Sequence, residues 1–187
     1  MRYDTRFCTH CGTLLAPITL DEDGGARERL RCPACGWTHW NNPTPVLAAI
    51  VEREGLVLLA RNAAWPGRAF GLITGFMEAG ETPEQGIARE VAEETSLRVQ
   101  SLSLVGVYDF QRMNQVIIAY HALAEGEVRL SPELLEYRLI APERLRCWPA
   151  GTGYALADWL RTRGITPEFF DFFTGQKIVA PPSRGLP

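Results

Sequence analysis

The sequence lacks any long apolar segment. No stretch approaches the run of about eighteen apolar residues that a membrane-spanning helix needs. The N-terminal residues, MRYDTRFCTHC, contain no apolar core of the kind that a secretory signal peptide carries. We therefore expect a cytoplasmic protein with no membrane partner.

The sequence also lacks an excess of positive charge. Lysine and arginine number 19 against 22 aspartate and glutamate residues, which gives a net charge of −3 at pH 7. No basic stripe is present to neutralise the phosphates of a polynucleotide. We expect no DNA partner, although a single nucleotide remains an acceptable ligand. With 46% hydrophobic residues in 187, the chain is long enough for one medium domain and a small appendage.

Four of the five cysteines form two Cys-x2-Cys-Gly motifs. Cys8 and Cys11 make the first motif, and Cys32 and Cys35 make the second, twenty residues later. Four thiolates at this spacing suit a closed, tetrahedral and structural Zn²⁺ site. Disulfides and a rubredoxin-like iron site are the alternatives, and reduced thiols in a cytoplasmic protein argue against disulfides. Residues 1–41 are thus predicted to be a zinc ribbon that depends on its metal for folding.

The ribbon is predicted to contain strands from Thr13 to Leu20 and from Ala26 to Arg31. We interpret His10 and His39, which lie near the two motifs, as surface or packing residues rather than zinc ligands. The fifth cysteine, Cys147, has no partner in sequence and is more typical of a small buried residue than of a nucleophile.

A proline-containing linker, Asn41-Asn42-Pro43-Thr44-Pro45, separates the ribbon from a second domain predicted over residues 42–165. Periodicity predicts strands over 46–52, 56–61, 99–110 and 115–124, shorter strands over 127–130 and 137–140, and helices over 153–163 and 166–173. Strands that alternate with helices predict an α+β fold with a mixed sheet between helices. Residues 166–187 are predicted to be a C-terminal helix and a loosely docked tail.

The stretch from Gly75 to Leu97 contains the strongest helix signal. Thr82, Pro83 and Gln85 form a predicted helix start, in which threonine and glutamine complete a capping box around a proline at the first position. Glu90, Glu93 and Glu94 stand at positions i, i+3 and i+4 of this helix. Their three carboxylates therefore share one side.

A solvated acidic surface is the simplest interpretation of three such carboxylates. Two features favour a binding site instead. Glu81 and Arg89 flank the cluster as a possible ion pair, and the glycines at 71, 75 and 80 allow close approach of the backbone to a ligand. Hard oxygen ligands in a cluster suit Mg²⁺ or Mn²⁺.

The same stretch resembles the Nudix box, Gly-x5-Glu-x7-Arg-Glu-aliphatic-x-Glu-Glu-x-Gly-aliphatic. Gly75, Glu81, the Arg89-Glu90-Val91 run, Glu93-Glu94 and Leu97 match it, and the single departure is Ser96 in place of glycine. Glycine at that position normally ends a helix in the left-handed conformation, so serine there predicts backbone strain of about 1 kcal/mol. The resemblance implies an α/β/α Nudix sandwich.

The resemblance also implies roles for these residues. Glu90, Glu93 and Glu94, with the backbone carbonyl of Gly75, would bind magnesium. Glu81 and Arg89 would position those ligands. Outside the box, Glu136 matches an acidic position of the zinc-containing branch and is the predicted general base, with Glu133 in reserve.

The zinc ribbon narrows the resemblance to two Nudix branches, the zinc-containing NADH pyrophosphatases and the ribbon-bearing enzymes active on ADP-ribose and FAD. The Ser-Gln-Pro-Trp-Pro-Phe-Pro element that marks NADH hydrolysis is missing, because the corresponding residues read VYDFQRMNQ. Phe110, Tyr108 and Phe70 are the predicted contacts for a nucleotide base, with Trp65 as a further candidate.

The expected activity is hydrolysis of the diphosphate in a nucleoside diphosphate linked to another group, such as ADP-ribose, FAD or NAD(H), to give a nucleoside monophosphate. The alternatives are a non-catalytic Nudix-fold nucleotide sensor, or an enzyme that acts on (d)NTPs or capped RNA. Related enzymes are often dimers, so a homodimer is possible.

Overall fold

The computed structural model describes residues 6–179 except 66 and 68. The chain divides into two compact units, Met1–Pro43 and Thr44–Pro187. The division falls two residues after the end of the ribbon predicted from the sequence. None of the described helices has the length and apolar character needed to cross a membrane.

The first unit is a small antiparallel sheet. Its strands are β1 (Ala16–Glu22), β2 (Gly25–Arg31) and β3 (Thr38–His39), in the order β1-β2-β3. Its core consists of Cys8, Leu15 and Cys32, with Leu30 and Trp37 packed against them. Because two of the three buried residues are cysteines, little apolar burial is available to stabilise this unit.

The second unit contains a six-stranded mixed sheet and two helices. The strands of this unit are β4 (Thr44–Arg53), β5 (Leu56–Asn62), β6 (Ile73–Phe76), β7 (Arg98–Phe110), β8 (Gln115–Glu125), β9 (Leu134–Ile140), β10 (Phe169–Phe170) and β11 (Lys177–Ile178), and the helices are α1 (Pro83–Thr95) and α2 (Thr152–Thr162). The large sheet has the order β7-β8-β4-β5-β9, and β6 pairs with β4. Only the β4–β8 pair among these is parallel.

Each face of this sheet packs against one helix. On one face, Leu58 and Ala60 of β5 pack in a cluster with Ile87 and Val91 of α1. On the other face, residues such as Leu59 pack in a cluster with α2. The alternation follows from the two-residue period of a strand. The expected α/β/α sandwich is thus confirmed.

Two local predictions were wrong and one strand was missed. Residues 127–130 form no strand, and β6 was not predicted because Gly75 interrupts its strand pattern. The helix predicted over 166–173 is absent. Phe169 is buried in the cluster with α2, and β10 pairs with β11 to form a hairpin. Residues 166–179 therefore belong to the larger unit, while 180–187 lie outside the described residues.

Candidate functional site

The helix α1 begins and ends as its sequence predicts. The Gln85 N–H donates to Thr82 Oγ1 at 3.3 Å, and the Thr82 N–H donates to Gln85 Oε1 at 2.8 Å, which completes the capping box. Ser96 ends the helix in the left-handed region, at φ 60° and ψ 11°. Its N–H donates to the carbonyl of Ala92 at 2.9 Å, and its hydroxyl donates to the carbonyl of Arg129 at 3.2 Å. The helix therefore ends at Ser96, in the left-handed backbone conformation that is strained for serine.

Gly75 brings strand β6 against the side chain of Glu90. A Cβ atom at Gly75 would lie 1.9 Å from Glu90 Cδ and 2.0 Å from Glu90 Oε1. Any other residue at this position would overlap the carboxylate, so the glycine is a steric requirement of the site. The strand backbone and the Glu90 carboxylate consequently share one small volume.

The three carboxylates of α1 differ in exposure. The Glu90 side chain is 13% exposed and the Glu93 side chain is 60% exposed. Glu94 is buried, with 7% of its surface exposed. Within the described part of the chain, no salt bridge joins Glu94 to a basic residue.

The pKa of Glu94 is raised to about 7, mainly by burial and then by the charges of Glu90, Glu133 and Glu93, in that order. Burial also raises the pKa of Glu90, although Arg89 opposes that shift. Near neutral pH the metal-free protein therefore keeps Glu94 partly protonated, because its charged form is poorly solvated and faces other carboxylates. A cation is the natural compensation.

Arg89 is the basic centre of the cluster. Its guanidinium donates from Nη1 to Glu90 Oε1 at 2.8 Å and to Glu93 Oε2 at 3.1 Å. It also donates to both oxygens of Glu81, at 3.0 and 2.9 Å, and to the carbonyl of Phe76 at 3.1 Å. This pairing raises the pKa of Arg89, so it remains a cation.

Glu81 is oriented from several directions. It accepts the Glu78 backbone N–H at 2.7 Å in addition to the Arg89 bonds, and these donors lower its pKa. Gly86 lies close by, since a Cβ there would stand 2.6 Å from Glu81 Oε1 and 2.3 Å from Leu47 Cδ1. Glu81 and Arg89 thus form a bidentate pair that links the loop before α1 to its middle.

Carboxylate oxygens are suitable ligands for a hard divalent ion, but the oxygens of Glu90, Glu93 and Glu94 do not converge on one point. In residues 6–179 without 66 and 68, the four cysteines are the only group of three or more acidic, histidine or cysteine ligands whose atoms lie within 4.8 Å of one another. Arg89 occupies one oxygen each of Glu90 and Glu93. Binding of a divalent ion there would require these side chains to turn from Arg89 toward the metal.

The cysteine cluster, in contrast, is already assembled. Cys8 Sγ lies 3.5 Å from Cys35 Sγ, and Cys11 Sγ lies 3.5 Å from Cys32 Sγ and 3.7 Å from Cys35 Sγ. A tetrahedral site with Zn–S bonds of about 2.3 Å has S–S edges of about 3.8 Å. The four thiolates therefore fit Zn²⁺. Cys147 is buried elsewhere, and burial raises its pKa to about 12, as expected of an unreactive thiol.

Two predicted base candidates lie in different places. Glu136 pairs in register with Arg61 of β5, and its carboxylate lies 3.7 Å from Arg61 Nε and 3.5 Å from Arg138 Nη2. The two-residue period puts Glu136 on the face of the sheet that packs against α2. Glu133, by contrast, is near enough to raise the pKa of Glu94.

The predicted aromatic contacts are largely engaged within the fold. Tyr108 donates its hydroxyl to Asp158 at 2.9 Å, and Phe110 packs against the position where a Gly151 Cβ would stand, at 3.6 Å. Phe70 lies under the Arg138 guanidinium at 4.1 Å. Trp65 makes an edge contact with Phe172.

Sequence reasoning missed Phe76. Its side chain is 59% exposed, and it directly follows Gly75. Phe76 pairs in register with Val46 of β4, whereas Gly75 pairs with Leu47, so the Phe76 ring lies on the sheet face opposite to Glu90. Its exposed ring is available to stack on a planar base. The signal was available in the sequence, because Phe76 stands next to the box glycine.

Two protein families match the sequence. Residues 42–161 match the NUDIX domain family, and residues 6–41 match the Nudix N-terminal zinc-ribbon family. A NUDIX hydrolase from Nitrosomonas europaea of known crystal structure is 30% identical, with a TM-score of 0.71 over 88% of this chain and 97% of that one.

Curated relatives include two proteins named NAD-capped RNA hydrolase NudC. The protein from Pseudomonas aeruginosa is 32% identical over 125 residues, and the protein from Stutzerimonas stutzeri is 30% identical over 132 residues. These matches cover 66% and 70% of this chain. The chain spans less than half the length of these relatives, at 42% and 46%.

Proposed function

Because this chain belongs to the Nudix family, we propose that it is a magnesium-dependent pyrophosphohydrolase. Its substrate is a nucleoside diphosphate linked to a second group, and its product is a nucleoside monophosphate. The observation that carries the proposal is the arrangement of Glu90 against Gly75 beside a buried Glu94 that has no basic partner in the described part of the chain. Burying uncompensated carboxylate destabilises a fold, so a bound cation is the physical reason to keep it.

Magnesium or manganese, when bound, neutralises the diphosphate oxygens and lowers the pKa of a bound water. Glu90, Glu93, Glu94 and the Gly75 carbonyl are the proposed ligands. Glu81 orients Arg89, and Arg89 holds Glu90 and Glu93 ready on one side of the helix. Loss of either positioning residue leaves the ligand carboxylates to repel one another.

Glu133 is the better-supported candidate for the residue that takes a proton from the attacking water, because it acts on Glu94 through its charge. Glu136 was the first prediction for this role. Its pairing with Arg61 and Arg138 favours a part in arranging the opposite face of the sheet. The substitutions Glu133→Gln and Glu136→Gln separate the two, since the general base gives the larger loss of kcat and the larger change in the pH–rate profile.

Phe76 is proposed to stack on the substrate's base, ahead of Phe110, Tyr108 and Phe70. It is exposed and adjacent to Gly75, whereas the Tyr108 hydroxyl is bound to Asp158 and Phe70 is covered by Arg138. Phe76→Ala should raise KM more than it lowers kcat, because stacking is retained from ground state to transition state.

The proposed substrates are ADP-ribose, FAD and NAD-type dinucleotides. The names of the relatives from Pseudomonas aeruginosa and Stutzerimonas stutzeri favour an NAD-type group, either free or at the 5′ end of an RNA. Residues 107–115, where β7 turns into β8, lack the element that marks NADH hydrolysis. We infer that the group attached to the nucleoside diphosphate is recognised by other residues in this chain.

The experiment is a panel of ADP-ribose, FAD, NADH, a dNTP and an NAD-capped oligoribonucleotide, each incubated with and without Mg²⁺. We expect release of AMP, or of the 5′-monophosphate RNA, only with Mg²⁺. Binding without product from every compound would support the nucleotide sensor instead. Product from the dNTP alone would support a nucleoside triphosphate hydrolase.

We further propose that Cys8, Cys11, Cys32 and Cys35 hold one structural zinc. A closed set of four thiolates leaves no position for water, so this ion would not catalyse. The cytoplasmic location and the homodimer stay predictions. Light scattering on the purified chain would test the dimer.

A further inference from the structure

A cavity of about 840 Å³ lies in the larger unit, away from the carboxylates of α1. Leu59 of β5 and Ile140 of β9 line its floor, and Trp148, Phe170 and Phe172 line its sides. The volume falls within the range of about 300–1,000 Å³ that is typical of small-molecule sites. The segment before α2 and the β10–β11 hairpin also line it, so the segment predicted as a C-terminal helix contributes to a cavity.

The cavity carries positive charge. Three arginines line it, Arg138, Arg144 and Arg146, against a single carboxylate, Asp171. That carboxylate already accepts the backbone N–H groups of Phe173 and Thr174, at 3.1 and 2.6 Å, and these bonds lower its pKa. Arg138 lies 3.5 Å from Glu136.

Two of these arginines have no acidic partner. In the described part of the chain, no carboxylate lies within salt-bridge distance of Arg144 or Arg146. Both residues are exposed, so their guanidiniums are solvated in the free protein and are available to bind an anion.

The aromatic walls hold the guanidiniums in place. Arg138 stacks over Phe70 at 4.1 Å from the ring centroid, and Arg146 stacks over Phe170 at 4.5 Å. Such cation–π contacts limit the rotamers of the two arginines without using up their N–H donors. The N–H donors of Arg146 stay available to a ligand, and Phe172, which is half-buried, supplies apolar surface in the same cavity.

The cavity is separate from the metal-binding carboxylates. Its floor residue Leu59 lies on the sheet face that packs against α2, whereas Ala60 lies on the face that packs against α1. Glu90 and Glu94 belong to α1, and neither they nor Gly75 line the cavity. A ligand here would therefore not be held by the residues proposed to bind the diphosphate.

We propose that this cavity is a second binding site, specific for a nucleotide monophosphate. Its aromatic walls would take the base, and Arg144 and Arg146 would bind the phosphate. The lining residues predict both parts of this ligand. Phosphate alone would make no contact with the aromatic rings, and an uncharged nucleoside would make no charge-assisted bond with the arginines.

Calorimetry on the full-length, zinc-loaded protein tests this with AMP, adenosine and inorganic phosphate as probes, in buffer without added divalent ions. We expect saturable binding of one AMP per chain, with adenosine and phosphate each at least about tenfold weaker. Arg144→Gln/Arg146→Gln should weaken AMP binding about tenfold or more, since each charge-assisted contact contributes that much. The exposed pair Arg98→Gln/Arg112→Gln is the matched control and should leave AMP affinity unchanged.

The substitution Glu90→Gln/Glu93→Gln distinguishes this site from the carboxylate site. AMP binding that persists in that variant, and is lost in Arg144→Gln/Arg146→Gln, supports the proposal. The proposal is overturned if AMP does not bind or if phosphate alone binds as tightly as AMP. It is also overturned if the control variant Arg98→Gln/Arg112→Gln weakens AMP binding as much as Arg144→Gln/Arg146→Gln does. Loss of AMP binding in Glu90→Gln/Glu93→Gln, with binding kept in Arg144→Gln/Arg146→Gln, would overturn it as well. Because no turnover is read, none of these outcomes depends on the proposed hydrolysis.

Discussion

The two units of this chain use acidic and thiol ligands in opposite ways. In the ribbon, the four sulfurs are already within bonding range of one ion, and the core around them has three buried residues. In the larger unit, an extensive apolar core surrounds α1, and Arg89 occupies two of the carboxylates, Glu90 and Glu93. We therefore expect the ribbon to need its metal to fold, whereas the larger unit has an apolar core that can fold without one and carries a proposed metal site.

The same difference explains why the cysteine site is closed to further ligands and the carboxylate site is open to them. A closed set of four ligands maximises the stability that a metal contributes and excludes chemistry. The carboxylates of α1 can bind either Arg89 or a metal ion, so they can take up and release the ion. The predictions below test this contrast from the largest expected effect to the smallest.

Loss of a zinc ligand should have the largest effect. Cys32→Ser should abolish zinc binding and unfold the ribbon, because structural zinc contributes on the order of 10 kcal/mol in small metal-held modules. Hydrogen exchange should show loss of protection over β1–β3 while β4–β9 remain protected. Cys147→Ala is the control and should retain one zinc. Retained protection of β1–β3 in the metal-free variant would contradict the contrast.

Substitution of the carboxylates of α1 should abolish turnover without unfolding. Glu93→Gln and Glu94→Gln should each lower kcat by about 100-fold or more, since electrostatic groups of this kind contribute on that scale. Circular dichroism and melting temperature should change little. Glu143→Gln, at an exposed carboxylate outside the site, should leave kcat unchanged. Full activity in both α1 variants would remove their assigned roles.

Gly75→Ala tests the close approach of β6 to Glu90. The added Cβ must displace the Glu90 carboxylate, so we expect kcat to fall about 10- to 100-fold, as for other losses of ligand positioning. The double substitution Gly75→Ala/Glu90→Ala removes the overlap. It should recover thermal stability but not activity, and recovery of activity would show that Glu90 is not needed.

The metal-free larger unit should lose stability as pH rises. The folded-state pKa of Glu94, about 7, lies above its ordinary value near 4.5. A raised pKa gives stability that is complete below the unfolded value and is lost as pH rises through the folded value. Without divalent ions, we expect unfolding free energy to fall by up to about 3 kcal/mol between pH 5 and 8. Glu94→Gln should remove this dependence, and Mg²⁺ should reduce it.

Ser96→Gly should give the smallest effect. The left-handed backbone at Ser96 is strained for serine and not for glycine, so the substitution should stabilise the larger unit by about 0.5–1 kcal/mol. Two effects reduce this gain in stability. The substitution removes the hydroxyl that donates to the Arg129 carbonyl, and glycine gives the unfolded chain more conformational freedom. A melting temperature that falls would show that the Arg129 bond matters more than the backbone.

Much of the fold and of the candidate site could be predicted from the sequence, because its signals are local. Three of these signals each fall within a few residues of chain: the capping box around Thr82, the spacing of Glu90 and Glu94, and the spacing of Cys8 and Cys11. The predicted strands and helices around them matched the observed elements within a few residues, apart from the segments at 127–130 and 166–173.

The missed features depend on contacts between distant segments. Nothing local places Glu133 near Glu94, since the two strands β7 and β8 separate them in the chain. Likewise, Phe169 is buried through its pairing with the segment around Cys147, and this long-range contact overrides the local helix signal at Thr166 and Pro167. The arginine-lined cavity could not be predicted either, because its walls come from four separate parts of the larger unit.

The central claim is that the carboxylates of α1 exchange Arg89 for a divalent ion bound against a diphosphate. A crystal structure with Mn²⁺ and a non-hydrolysable ADP-ribose analogue tests it most directly, through the anomalous signal of manganese. We predict a peak bound by Glu90, Glu94 and the Gly75 carbonyl, with Glu90 turned from Arg89. Arg89 still bound to both Glu90 and Glu93, with a diphosphate present and no manganese peak beside them, would contradict the claim.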